Sequence, residues 1–179
     1  MKRPIKIYTD GSSSPHQKNP DAQYAGWAIC LVFENVDYVY YGQLPAPATN
    51  NMAEMMALTF ALEISSNMVS QTFTDNQYSI DSLVKWRKKW EQHGLPEKNR
   101  ELIRRLWQVF DERTATVDIR WIKGHAGFHY NEVADQYAKK GKLGDIKSGQ
   151  LGRVKYMGFK TPEDFIAFVQ RTKNGDNNS

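Results

Sequence analysis

Cysteine is scarce in this chain of 179 residues. A single cysteine, Cys30, excludes an internal disulfide. It lies in an apolar run, where it reads as a small core side chain, and its isolation fits a reducing compartment. No cluster of cysteine and histidine offers the nitrogen and sulfur ligands that zinc prefers. No apolar run approaches the roughly 18 residues of a transmembrane helix. The chain enters a strand pattern at once, so no signal peptide is expected. Internal repeats and long low-complexity tracts are also missing. Charge of one sign is not in great excess: 24 Lys and Arg face 20 Asp and Glu, for a net +4. That mild basicity permits nucleic-acid binding without establishing it. What remains is an ordinary globular composition, 40% hydrophobic and 25% charged with five tryptophans, enough to build one core. The length favours one domain with some excess. A cytoplasmic monomer without membrane contact is the expectation.

The first informative stretch is Ile5-Lys6-Ile7-Tyr8-Thr9-Asp10-Gly11-Ser12. Alternation of apolar residues predicts a strand that presents Asp10 at its C-terminal end. A strand-end Asp is, by itself, more often a turn former than a chemical group. Strands are next expected over Tyr24 to Phe33 and Tyr38 to Gly42, antiparallel through a short turn. Thr49 or Asn50 can cap a helix from about Asn51 to Ser65. Within it Glu54 shares a row with Leu58 and Leu62, so its carboxylate leans towards the core. A buried charge there needs a partner or a metal. The plainer reading is an acid at the first turn that merely favours the helix dipole. Gln71 to Asp75 then repeats the opening figure, a β-prone run ending in an acid. Because a helix links the two strands, they are expected to be parallel, with Asp10 and Asp75 at one edge of the sheet.

A helix is predicted from Asn76 to Trp90. Its end, Trp86-Arg87-Lys88-Lys89-Trp90, interleaves aromatics with cations, a good surface for sugar edges and phosphates. A solvated face with its tryptophans turned to the core is the equal alternative. Another helix is expected from Pro96 to about Arg113, then a strand over Val117 to Ile122. A glycine-punctuated loop carries His125, and a helix from about Tyr130 to Lys140 carries Asp135. From Lys142 the chain loosens with Gly144, Gly149, Gly152 and Gly158. Thr161-Pro162-Glu163-Asp164 starts a short helix near 162–171, and the ending from Asn174 is expected to be frayed.

Taken together, these stretches resemble type 1 ribonuclease H. The matching motifs are Tyr8-Thr9-Asp10-Gly11-Ser12, Thr49-Asn50-Asn51-Met52-Ala53-Glu54, Thr74-Asp75-Asn76-Gln77-Tyr78, Trp86-x-x-x-Trp90, and Trp121-x-Lys123-Gly124-His125-Ala126-Gly127 with Asn131-Glu132-x-x-Asp135. The resemblance implies an α/β, ribonuclease H-like fold: a five-stranded mixed sheet of order 3-2-1-4-5 with helices on both faces. It implies a catalytic domain over 1–141 and leaves 142–179 as an extension without a counterpart. The implied activity is endonucleolytic hydrolysis of the RNA strand of RNA–DNA hybrids, leaving 5′-phosphate and 3′-hydroxyl ends. The implied metal ligands are Asp10, Glu54, Asp75 and Asp135 around two Mg²⁺ ions, with Mn²⁺ as an alternative. His125 is implied to assist proton transfer or product departure. Gly11, Ser12, Asn19, Thr49, Asn50, Gln77, Trp86, Lys88, Lys89 and Trp90 are implied substrate contacts.

Three departures from that family stand out. The loop after Asp10 is longer, with Asn19-Pro20 standing in for its usual sequence. Asn76 replaces the more usual serine. The Trp86–Trp90 protrusion is slightly shorter and contains Glu91 and Glu97. Separately, Asp81 competes with Asp75 for the third carboxylate, though Asp75 has the strand-end context. Two rivals remain on the same fold: a catalytically silent hybrid-binding module, which would need a broken set of acids, and a nuclease or transposase acting on DNA.

Overall fold

The computed structural model describes residues 3–14 and 22–175. A mixed sheet grows outward from β1 (Ile5–Ser13). Antiparallel to it lies β2 (Ala25–Val32), with Asp10 opposite Ala28. Next is β3 (Asp37–Leu44), antiparallel to β2. On the other side β4 (Ser70–Thr74) is parallel to β1, and β5 (Val117–Trp121) is parallel to β4. These five keep the expected order. The sheet then continues past β3, where β6 (Ser148–Leu151) and β7 (Val154–Phe159) make it seven-stranded, in the order β5-β4-β1-β2-β3-β7-β6. β7 is parallel to β3, and β6 turns back antiparallel on β7 through Gly152, whose φ of 58° suits glycine. The hairpin is hidden in the sequence because glycines inside strands weaken the β signal.

Helices cover both faces. On one lies α1 (Asn50–Ile64), with α4 (Arg100–Asp111) behind it and α6 (Pro162–Gly175) beside it. Trp27, Phe60, Phe159 and Phe165 form the core there, with Phe60 and Phe165 ring centroids 4.5 Å apart. On the opposite face α5 (His129–Lys142) packs Ala134, Tyr137 and Ala138 against Ala28, Cys30 and Tyr41. Cys30 is therefore a core side chain, and burial pushes its thiol up to about 12.

The expected helix from Asn76 to Trp90 is two helices, α2 (Gln77–Val84) and α3 (Arg87–His93). The amides of Lys85 and Trp86 both donate to the Asp81 carbonyl, at 2.9 and 2.8 Å, which ends the regular α2 pattern. The turn lets Trp86 pack on Tyr78, with centroids 5.6 Å apart. Helix α4 likewise begins later than expected. Asn99 precedes it in the left-handed region at φ 62°, so the chain from Pro96 is not yet helical.

The segment after 142 is bound into the fold. Phe165 is fully buried. Arg153 forms a two-pronged hydrogen-bonded ion pair with Asp37, with Nε 2.8 Å from Oδ2, and Asp37 is buried where β3 starts. The Tyr41 hydroxyl donates to the Asp145 carbonyl and accepts from the Lys147 amide, both at 2.9 Å.

Candidate active site

Glycine sets the first distance in the site. A Cβ on Gly11 would stand 2.5 Å from the Glu54 backbone nitrogen, so only glycine lets β1 approach α1 this closely. Asp10 sits just before that contact, and its Oδ1 accepts from the Gly11 amide at 2.8 Å. Glu54 lies in the α1 row that also buries Leu58 and Leu62. Asp75 follows the end of β4, the parallel neighbour of β1. The outcome is one acidic cluster: Asp10, Glu54 and Asp75 each offer a carboxylate oxygen within 4.8 Å of the others.

Asp75 is held from two sides. Trp121 Nε1 donates to its backbone carbonyl at 3.1 Å. Gly124 faces its side chain so closely that a Cβ would lie 2.5 Å from Oδ2. Sequence reasoning gives neither Trp121 nor Gly124 a role, although both stand in the motif that carries His125. The family resemblance makes Gly11 a substrate contact, whereas its role in the fold is close packing.

Burial makes the cluster electrostatically unstable as a set of anions. Asp10 is 4% exposed and Glu54 3% exposed. Loss of water raises the Asp10 carboxyl to about 7; its hydrogen bond with Glu54 opposes the rise, and the charge of Asp75 adds to it. Burial, then the charges of Asp10 and Asp75, lift Glu54 well above the usual carboxylate range. Asp75 is also raised, chiefly by burial, with Glu54 and His125 pulling the other way. Glu54 Oε2 is buried without a hydrogen-bond partner among the described residues. Such a group calls for a proton or a cation.

Asp135 stands outside the three-acid cluster. Its charge nevertheless raises both Asp10 and Asp75, which puts it within electrostatic reach. It is paired with Lys139, one helical turn on, at 2.8 Å. Asp81 lies on α2, where its Oδ1 accepts from Gln77 Nε2 at 2.9 Å, and is not part of the cluster. His125 is exposed, with φ 54° in a turn bounded by Gly124 and Gly127.

Around the acids lie the other expected contacts. Thr49 caps α1, its Oγ1 accepting from the Met52 amide at 3.2 Å, and Asn50 is exposed at the helix start. Gln77 is exposed at the start of α2. Ser12 is buried near the end of β1, and Asn19 lies outside the described residues. Thr49 also borders a groove of about 520 Å³ shared with Met52, Asn99 and Arg100. On α3, Lys88 and Lys89 point to solvent. Trp86 and Trp90 are half-buried against each other, centroids 5.3 Å apart, so they serve packing as well as surface. Arg87 is not free for phosphate: it pairs with Asp111 at 2.6 Å and Glu91 at 2.8 Å and lies 4.8 Å over the Trp107 ring.

The family model described as RNase H matches residues 2–142. A ribonuclease H from Orientia tsutsugamushi (strain Boryong) is 34% identical over 149 residues, 80% of this chain and 85% of that protein. One from Paramagnetospirillum magneticum (strain ATCC 700264 / AMB-1) is 32% identical over 149 residues, covering 80% and 92%. Among solved structures, LC9-RNase H1, a type 1 RNase H with the type 2 active-site motif, superposes with a TM-score of 0.69 at 22% identity, over 80% of this chain and 74% of that one. The solution structure of the PFV RNase H domain superposes with a TM-score of 0.61 at 23% identity, over 78% and 94%.

Proposed function

The chain belongs to the ribonuclease H family, and from that premise we infer how it hydrolyses the RNA strand of RNA–DNA hybrids. Asp10, Glu54, Asp75 and Asp135 are read as the ligands of two Mg²⁺ ions. The observation that carries this is the buried, unpartnered Glu54 Oε2 inside a cluster of three carboxylates. An all-oxygen donor set suits a hard cation, Mg²⁺ first and Mn²⁺ as an alternative. When bound, such ions activate a water and stabilise charge on the leaving oxygen of an in-line displacement.

The protein's own groups have distinct tasks in this reading. Asp10 is the acid whose ionisation all three others shift, so it would be a central ligand of the metal site. Gly124 and Trp121 hold Asp75 in place. Exposed His125, whose charge is felt at Asp75, moves a proton as the product departs. Asn50 and Gln77 face the hybrid's minor groove, where 2′-hydroxyls mark the RNA strand. Thr49 takes a phosphate of the DNA strand, and Gly11 and Ser12 line the floor by the metal ligands. Lys88 and Lys89 meet phosphates, while Trp86 and Trp90 form the apolar wall beneath them. The cut leaves 5′-phosphate and 3′-hydroxyl ends. Residues 1–141 are the catalytic unit, and the described residues that follow, 142–175, brace it.

The test is cleavage of an RNA–DNA hybrid, duplex DNA and duplex RNA, each with and without Mg²⁺. Only the hybrid with Mg²⁺ should be cut, and Asp10→Asn should bind hybrid without cutting it. Cleavage of duplex DNA, or full turnover by Asp10→Asn, would overturn the reading.

A further inference from the structure

Asn76 lies between Asp75 and Gln77. It uses both ends of its side chain. Its Oδ1 accepts from the Ser79 amide at 2.7 Å and caps α2. Its Nδ2 donates to Asn51 Oδ1 at 2.9 Å, across 25 residues of sequence, in the first turn of α1. Its backbone amide donates to Thr74 Oγ1 at 3.1 Å, fixing it to the end of β4. Serine could supply the cap, since serine and asparagine are comparable at that position. Serine is too short to make the second bond.

That second bond joins two helix starts that each carry an acid of the cluster close by in sequence: Glu54 within α1, and Asp75 next to the residue that caps α2. Asn50 precedes Asn51 on one, and Gln77 follows Asn76 on the other. With its oxygen engaged, Asn51 has its amide donor left for a ligand. The minor groove of a hybrid presents base acceptors, N3 and O2, and 2′-hydroxyls, which an amide donor can meet.

We propose that Asn76 is a positioning residue for hybrid binding, acting through Asn51 by holding the starts of α1 and α2 at fixed spacing and turning the Asn51 amide donor towards the groove. The inference rests on the proposed substrate. Asn76 touches no reacting atom, so its loss should raise KM and leave kcat within about twofold. One hydrogen bond corresponds to about a fivefold change in affinity.

The experiment is a double-mutant cycle of Asn76→Ser and Asn51→Ala in the full chain, with steady-state cleavage of a short hybrid and thermal unfolding of each variant. Asn76→Ser should raise KM about fivefold, while the midpoint of unfolding falls only by the few degrees that one lost hydrogen bond costs, because the cap is kept. In the Asn51→Ala background the same change should have no further effect on KM. An unchanged KM for Asn76→Ser, or an equal increase in both backgrounds, overturns the proposal. A wild-type protein that cuts no hybrid fails the functional reading first, and is distinguished from both of those outcomes.

Discussion

Gly124 lies against the Asp75 carboxylate so closely that a Cβ there would stand 2.5 Å from Oδ2. The obstructing atom is the free end of a side chain, so it can swing away at small cost to stability. It cannot do so and still meet Asp10 and Glu54. Gly124→Ala should therefore lower kcat by about 10- to 100-fold, the usual cost of disturbing a residue that orients a metal ligand. The unfolding midpoint should hardly move. Wild-type turnover from the alanine variant would show that Asp75 is not needed where it stands.

The metal-free protein should lose stability as pH rises. The Asp10 carboxyl in the fold is raised to about 7, against an unfolded value near 3.9. A raised carboxyl contributes stability that is fully present below the unfolded value and is lost as pH climbs through the folded one. Glu54 is shifted in the same direction. In EDTA, the part of the melting temperature that this site supports should fall between about pH 4 and pH 7. Glu54→Gln, which removes one of the mutually repelling charges, should flatten that fall. Added Mg²⁺ should raise the melting temperature more at pH 8 than at pH 5. Equal Mg²⁺ shifts at both values would mean that the ion does not bind these acids.

Lys88 and Lys89 are exposed on α3, whereas Arg87 is committed to Asp111 and Glu91. Replacing both lysines by alanine should weaken hybrid binding and reduce the slope of log K against log salt by about 0.9 for each phosphate that a lysine neutralises. Arg87→Ala should act instead through looser packing of α3 on α4. A salt titration of hybrid affinity separates the two, and an unaltered slope for the lysine pair would remove α3 from the binding surface.

Phe165 is fully buried among Trp27, Phe60 and Phe159. Phe165→Ala should cost about 3–5 kcal/mol in urea unfolding, as for other buried phenylalanines. Its kcat at low temperature should be close to wild type, because the residue sits in the core away from the acids. A cost below about 1 kcal/mol would mean that the core closes without α6.

Several elements were legible from local pattern. β1 alternates and ends in Asp10, α1 carries Glu54 in a row with Leu58 and Leu62, and β4 repeats the first figure before Asp75. These features need only periods of two and of about 3.6 residues. The break between α2 and α3 was not legible, because it depends on Trp86 reaching Tyr78. Nor was the commitment of Arg87, whose partner Asp111 lies 24 residues away. β6 and β7 lack a clear strand pattern because each contains a glycine, which resembles loop.

The sequence alone determined the five central strands, their order through the family resemblance, and which acids were available for chemistry. Tertiary structure decided which of them share one space. It grouped Asp75 rather than Asp81 with Asp10 and Glu54, placed Asp135 at electrostatic range, and took the residues after 142 into the sheet. The reason is physical. Strand and helix patterns follow spacing along the chain. Desolvation, charge repulsion and close packing follow distance in space, and here a glycine at 11 and a glycine at 124 set that distance.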